Sequence, residues 1–179
     1  MPFDLQPVLE GDLVELRPLR PDDWDTLYAV ASDPLIWEQH PNSDRYKPEV
    51  FRDFFREALA CGGAFLVTDA KDGQAIGSSR YFGYDEAKRE IEIGWTFLAR
   101  SRWGGDYNRE MKSLMLRHAF RFVDSVIFIV GPTNWRSRRA MEKIGGVLDS
   151  APLDPARGDR VVYRITREAF VDARRPARP

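Results

Sequence analysis

At 179 residues, with 43% hydrophobic and 31% charged side chains, the chain has the make-up of one ordinary globular domain, able to bury roughly two-thirds of its unfolded surface. Its 27 basic and 28 acidic residues nearly cancel, so no global field attracts nucleic acid or an anionic membrane, and any anion site must be local. One cysteine, Cys61, excludes an intramolecular disulfide framework, and with two distant histidines it gives no metal site.

The N-terminal MPFDLQPVLEGD has acidic residues and no apolar signal core, and no run approaches a membrane span, so the cytoplasm is the expected compartment. From Asp12 to Arg20, Leu13, Glu15 and Arg17 alternate with Val14, Leu16 and Pro18, which predicts a strand. Pro21 at a first helical position, Asp22 and Asp23 in the first turn, and Trp24, Leu27, Tyr28 and Ala31 at helical spacing predict a helix that Ser32-Asp33-Pro34 stops. The aromatic and polar stretch from Leu35 to Lys47 reads as a covering loop. A second helix follows from Pro48 to about Ala60, with Val50, Phe54, Phe55, Ala58 and Leu59 on one side, Cys61 as a small apolar residue at its end, and Gly62-Gly63 as its stop. Strands Ala64–Thr68, Ala75–Phe82 and Glu90–Leu98, joined by short turns such as Lys71-Asp72-Gly73-Gln74, predict an antiparallel meander.

The third of these strands runs into Trp103-Gly104-Gly105 and then an amphipathic helix from about Tyr107 to Phe122. Glycines leave the backbone open to a ligand, and the unpaired N–H groups of a helix start, at the positive end of its dipole, suit a pyrophosphate. The alternative is a plain connection in which the glycines serve only the turn. The loop is neither G-x-x-x-x-G-K-[ST] nor G-x-G-x-x-G, which argues against nucleoside triphosphates and dinucleotides. Within the helix, Met111, Leu114, Met115, Ala119 and Phe122 form a core stripe, the other face is basic, and His118 reads as surface or a minor packing contact.

Val126–Val130 is apolar throughout, a strand covered on both faces, so a βαβ unit spans Ile91 to Val130. A helix from Asn134 to Ile144 has a capping residue at its start and Gly145-Gly146 at its end. Strands near Gly146–Leu148 and Arg160–Thr166 close the order around the turn-rich APLDPARGD, and the tail ARRPARP is expected to fray.

Three segments carry a family resemblance: LVELRPLRPDDWDTLY, EIGWTFLARSRWGGDYNREMKSLMLRHAF and NWRSRRAMEKIGGVL. Together they resemble the GNAT superfamily of acyl-CoA-dependent N-acyltransferases, and within it the RimJ/RimL-like branch, over roughly residues 11–166. The resemblance implies a single α/β (α+β) domain whose mixed, mostly antiparallel central sheet is flanked by helices, with the central βαβ unit carrying the loop for the coenzyme A pyrophosphate. It assigns cofactor contacts to Arg102, Trp103, Gly104, Gly105, Asp106, Tyr107, Asn108 and Arg109. It also implies a splay between strands Ile91–Leu98 and Val126–Val130, which leaves backbone groups near Phe97 and Leu98 for the pantetheine arm. The family loop is commonly Q/R-x-x-G-x-G/A; here Ser101 replaces Q/R, while Asp106 and Asn108 stand where glycine and a small residue are usual. Asp106 is expected to turn back and cap the helix, with Arg100, Arg102 and Arg109 offsetting its charge.

By the same resemblance Glu92 is the candidate base, directly or through water, against the alternative that Glu90 and Glu92 are only solvated or salt-bridged. Ser137, at the last position of NWRS, is the candidate acid for the leaving thiolate, while Asn134 bonds the pantetheine or caps its helix; the alternative for Ser137 is a bond to its own backbone. A backbone N–H near Leu98 is the implied oxyanion donor. Trp37, His40 and Tyr46 fall in the loop expected over the acceptor, with His40 a second candidate base.

The function implied is transfer of an acetyl group from acetyl-CoA to a primary amine, protein N-terminal or small-molecule, by direct attack in a ternary complex. The partners implied are acetyl-CoA and that acceptor, with no nucleic acid or membrane, on a monomer or homodimer. An acyl-CoA-binding sensing or interaction module without turnover remains an alternative, as does an RNA-associated module using Arg100, Arg102, Arg136, Arg138 and Arg139.

Overall fold

The computed structural model describes residues 2–149 and 158–170. Among these residues eight strands form one sheet: β1 (Leu9–Glu10), β2 (Val14–Pro18), β3 (Ala64–Asp69), β4 (Ala75–Asp85), β5 (Glu90–Leu98), β6 (Ser125–Val130), β7 (Val147–Leu148) and β8 (Val161–Thr166). Their order is β1-β2-β3-β4-β5-β6-β8-β7. Only β5 and β6 are parallel neighbours, because a helix, α3 (Tyr107–Ala119), crosses between them; the other neighbours are antiparallel. The other α-helices among the described residues are α1 (Trp24–Ala31), α2 (Pro48–Ala60) and α4 (Trp135–Lys143). Among the described residues no helix is long and apolar enough to cross a membrane.

The sheet divides the core. One apolar cluster gathers Met111, Leu114 and Met115 of α3 against Val14, Phe65, Tyr81, Ile91 and Ile93. A second gathers Leu27 and Ala31 of α1 and Phe51, Phe54 and Phe55 of α2 against Ala64, Leu66 and Phe97. Successive β3 residues serve opposite clusters, which is why AFLVT is apolar without alternation.

Pairing of β1 with β2 escaped the sequence reading, since two residues give no period. It matters because Glu110, in the first turn of α3, accepts from the backbone N–H groups of Asp12, Leu13 and Val14 at 3.0, 2.6 and 3.0 Å. A Cβ on Gly11 would lie 2.5 Å from Glu110 Oε2 and 2.9 Å from Val14 O, so a side chain there would press on both this carboxylate and the backbone. The contact fixes the start of α3 against the sheet. His118 is a correction to the surface reading: it is buried, its Nε2 lies 2.7 Å from Asp4 O, and its ring packs on Phe3, Tyr81 and Phe122. The segment 151–157 and the tail 171–179 lie outside the described residues.

Strand β5 changes phase midway. Against β4 its register passes from Ser78↔Phe97 to Arg80↔Gly94, so Trp95 and Thr96 oppose Ser79 alone, a β-bulge. Trp95 sits at φ 51, a conformation that strains a bulky L-residue. Before the bulge Ile91 and Ile93 face α3; after it Thr96 and Leu98 do, and Phe97 joins the α1/α2 cluster. The bulge lies beside the cavity described next.

Candidate active site

The β5–β6 ladder holds only from Glu90↔Ser125 to Glu92↔Ile127, although β5 continues to Leu98 and β6 to Val130. Past Glu92 the facing backbone edges therefore open into a gap, and a cavity of about 870 Å³ occupies it. Its walls are residues 92–98 of β5, the glycine loop, the end of β6, the first turns of α4 and part of the loop before α2. Phe97 and Leu98 line it as the splay requires, but Leu98 O already accepts from Trp103 Nε1 at 2.9 Å.

Gly104 has φ 74, which an L side chain adopts only with strain, and a Cβ on Gly104 or Gly105 would meet nothing within 4 Å. Both border the cavity, so the open space in front of them belongs to the approach of a ligand to the backbone. The first N–H groups of α3 lack intrahelical partners and carry the positive end of its dipole. Asp106 holds the N-cap position, yet its side chain makes no cap bond; instead its Oδ1 lies 2.7 Å from Arg109, on the surface. This corrects the expected cap, because pairing with a guanidinium one turn away competes with capping. Arg100 and Arg102 do not offset Asp106 either: Arg100 pairs with Asp33 at 2.5 Å and Arg102 with buried Asp69 at 2.9 Å. Tyr107 donates to Asp69 at 3.0 Å and lies under Arg102, so its ring is outside the cavity; Trp103, Asn108 and Arg109 line it.

Glu92 is buried and lines the cavity, while Glu90 is drawn into a network with Ser125 and Arg164. A Cβ on Gly94 would come within 3.1 Å of Glu92 Oε1, so this glycine makes room for the carboxyl. Across the gap, Asn134 caps α4 by accepting from the Ser137 N–H at 3.1 Å, and both residues line the cavity.

Trp37 is buried against Phe97 with its Nε1 donating to Ala31 O, and it forms cavity wall. His40 also lines the cavity. Its Nδ1 lies 2.9 Å from Asn42 N and its Nε2 3.2 Å from Arg45, and burial together with Arg45, Arg160 and Arg136 pushes it down to about 4. A neutral ring so weakly basic, with both nitrogens engaged, is a poor match for proton abstraction at pH 7. Tyr46 is a correction to the expected lining: it packs in the α1/α2 cluster, and its carbonyl accepts from Tyr28 Oη at 3.0 Å.

Lys112 was not singled out in the sequence. It is fully buried at the cavity floor, with Nζ 2.5 Å from Thr96 Oγ1 and 3.2 Å from Ser79 Oγ, and 5.6 Å from the centre of the Phe128 ring. The signal was present: Lys112, Met115, Leu116 and Ala119 share one helical face, so the lysine stands where the pattern asks for an apolar residue. Burial without a carboxylate pushes its ammonium down to about 7. Because the unfolded chain then binds more protons between about pH 7 and the ordinary lysine range, stability is expected to rise with pH from 7 to 9. Lys112→Met should remove that rise and stabilise the protein at pH 7 by on the order of a few kcal/mol, read by urea unfolding at several pH values. An unchanged midpoint in the variant would refute the burial cost.

The sequence profile of the acetyltransferase (GNAT) domain matches residues 14–147. No curated protein matches the sequence. Among solved structures the fold is similar to a GCN5-related N-acetyltransferase from Brucella melitensis, at 20% identity and a TM-score of 0.76 over 92% of this chain and 80% of that one. It is similar to an acetyltransferase from Agrobacterium tumefaciens str. C58, at 26% identity and a TM-score of 0.67 over 89% and 94%. It is also similar to Mycobacterium smegmatis RimJ, determined in complex with CoA-disulfide, at 22% identity and a TM-score of 0.68 over 90% and 85%. A mixed sheet that splays beside a glycine loop and a matching profile over most of its length place the chain in the GNAT family, as an acetyl-CoA-dependent acetyltransferase.

Proposed function

We propose that the described residues form one catalytic domain that transfers acetyl from acetyl-CoA to a primary amine by direct attack within a ternary complex. The observation that carries this reading is the single cavity that joins the glycine loop, the unpaired edges of β5 and β6, Glu92 and Ser137. Gly104, Gly105 and the N–H groups opening α3 hold the pyrophosphate, and the β5 edge at Phe97 and Leu98 receives the pantetheine amides. Bound there, acetyl-CoA supplies a thioester carbonyl carbon to which the amine nitrogen bonds as the carbon–sulfur bond breaks.

Glu92 takes the proton that the amine loses, directly or through one water. Its burial in a cavity wall excludes bulk water and strengthens its interaction with an amine proton. Ser137 Oγ gives a proton to the thiolate and regains one from solvent; Asn134 fixes the backbone of that helical turn. RimJ from M. smegmatis binds a coenzyme A species in this fold, which supports the cofactor assignment.

Amine-dependent release of free thiol from acetyl-CoA tests the reading. Ser137→Ala is expected to lower kcat about 10-fold or more with acetyl-CoA affinity unchanged. Tight coenzyme binding with no thiol release for any amine would indicate a binding module instead.

A further inference from the structure

The cavity lining is cationic: Arg102 and Arg109 lie by the glycine loop, Lys112 at the floor, Arg139 and Lys143 on α4, and a further group stands at the end lined by His40. Of the side chains that line it, only Glu92 and Asp106 are acidic, and Asp106 is held by Arg109 at the glycine loop. Toward the other end Arg45 and Arg160 enter the lining beside neutral His40, and Arg136 reaches from the same side back to the Trp103 ring of the glycine loop. The four belong to one wall. Arg45 lies 3.2 Å from His40, and Arg136 donates to Ile36 O at 2.7 Å while its backbone N–H reaches Gln39.

None of these three arginines has a carboxylate within ion-pair distance among the described residues. Arg45 is held instead by aromatic faces, its guanidinium carbon 4.8 Å from the Phe54 ring centre and 5.7 Å from that of Trp37. Arg136 stacks 4.0 Å over Trp103. Behind this wall Arg80 is buried between Phe54 and Trp95, with one terminal nitrogen lacking any partner. Burial and the charge of Arg80 together pull Arg45 down to about 10. Glu57 and Asp44 act on Arg45, and Glu38 on Arg136, only from beyond ion-pair distance; positive charge gathered in a half-buried wall without a directly paired carboxylate attracts an anion and repels a polycation.

Resting on the transferase reading above, we propose that the acceptor is a small amine that carries an oxyanion, carboxylate or phosphate, bound by Arg45 and Arg160 with its amine turned to Glu92. Guanidinium groups match either oxyanion with paired N–H donors. The same field favours the neutral form of the amine, which is the nucleophile. A polyamine or an aminoglycoside meets three cations and a single carboxylate, and is excluded by charge.

Thiol release from acetyl-CoA is to be compared for matched pairs: L-methionine against L-methioninamide, and O-phosphoethanolamine against ethanolamine. At least one oxyanion-bearing member is expected to exceed its partner about 10-fold or more in kcat/KM, and the pair that responds identifies carboxylate or phosphate. Arg45→Gln and the exposed Arg160→Gln should each erase most of that preference while acetyl-CoA affinity holds. Equal use of both members, preference for the uncharged ones, or preference that survives both substitutions overturns the proposal. A binding arm separates it from the transferase reading: with CoA present, N-acetyl-L-methionine or N-acetyl-phosphoethanolamine should raise the unfolding midpoint and the matching N-acetyl-L-methioninamide or N-acetyl-ethanolamine should not. That pattern without any thiol release would defeat turnover and leave the anion site standing; equal shifts would defeat the anion site whether or not the protein turns over.

Discussion

Replacing Glu92 by glutamine is expected to lower kcat for thiol release about 100-fold or more and to leave acetyl-CoA affinity within about twofold. The amide keeps the shape and most hydrogen bonds of the carboxyl but cannot accept the proton that the amine must lose. The separation of the two parameters is the informative part. Glu92 belongs to the last rung of the β5–β6 ladder, at the point where the strands part, and the pyrophosphate loop is reached only after six more residues of β5. A change at its side chain therefore acts on the acceptor and not on the phosphates. Losses of similar size in kcat and in acetyl-CoA affinity would mean that Glu92 organises the cleft and does not abstract the proton. A large fall in the unfolding midpoint would mean the same.

Gly105→Leu is expected to weaken acetyl-CoA binding at least 10-fold and to change stability by less than about 1 kcal/mol. The reason is geometric. Gly104 has a positive φ, so any side chain there strains the backbone and mixes a folding defect with a binding defect. Gly105 has no positive φ, and a Cβ built on it meets nothing within 4 Å. A leucine is therefore tolerated by the protein itself and intrudes only on what approaches the loop from the cavity. Calorimetric titration with CoA, alongside thermal unfolding without it, separates the two effects. Unchanged affinity in a folded variant would remove the loop from the cofactor site.

The elements were legible where a period or a punctuating residue announced them. The start of α2 at Pro48, the stop at Gly62 and the turn at Gly73 follow from fixed φ at proline and permissive φ at glycine. The parallel pairing of β5 with β6 followed from the helix between them. What stayed hidden depends on long-range contact. Trp95 reads as one more residue of an apolar strand, and only the mismatch with β4 shows that it bulges and turns Thr96 toward Lys112. Asp106 had two partners available to it, a backbone N–H and Arg109, and local sequence does not decide between them.

The candidate site was legible in part for the same reason. Glycine loop, Glu92, Asn134 and Ser137 lie on elements whose order the pattern supplied, and they meet at one cavity. Tyr46 was read by its aromatic character, which serves core and pocket equally, and packing against α1 took it into the core. Arg45 was not singled out, and Arg136 entered only among the arginines of the RNA-associated alternative; their part in the cavity wall comes from the aromatic faces of Phe54 and Trp103, which are distant in sequence.

Thermal unfolding of the unmodified protein with acetyl-CoA, CoA, ATP and NAD, each at saturating concentration, tests whether the cavity is a coenzyme A site. A ligand at a hundred times its dissociation constant adds about 2.7 kcal/mol, which for a chain of this size raises the midpoint by roughly 5–10 °C. That rise is expected with acetyl-CoA and CoA, and none of that size with ATP or NAD. No shift with either coenzyme A species would contradict it.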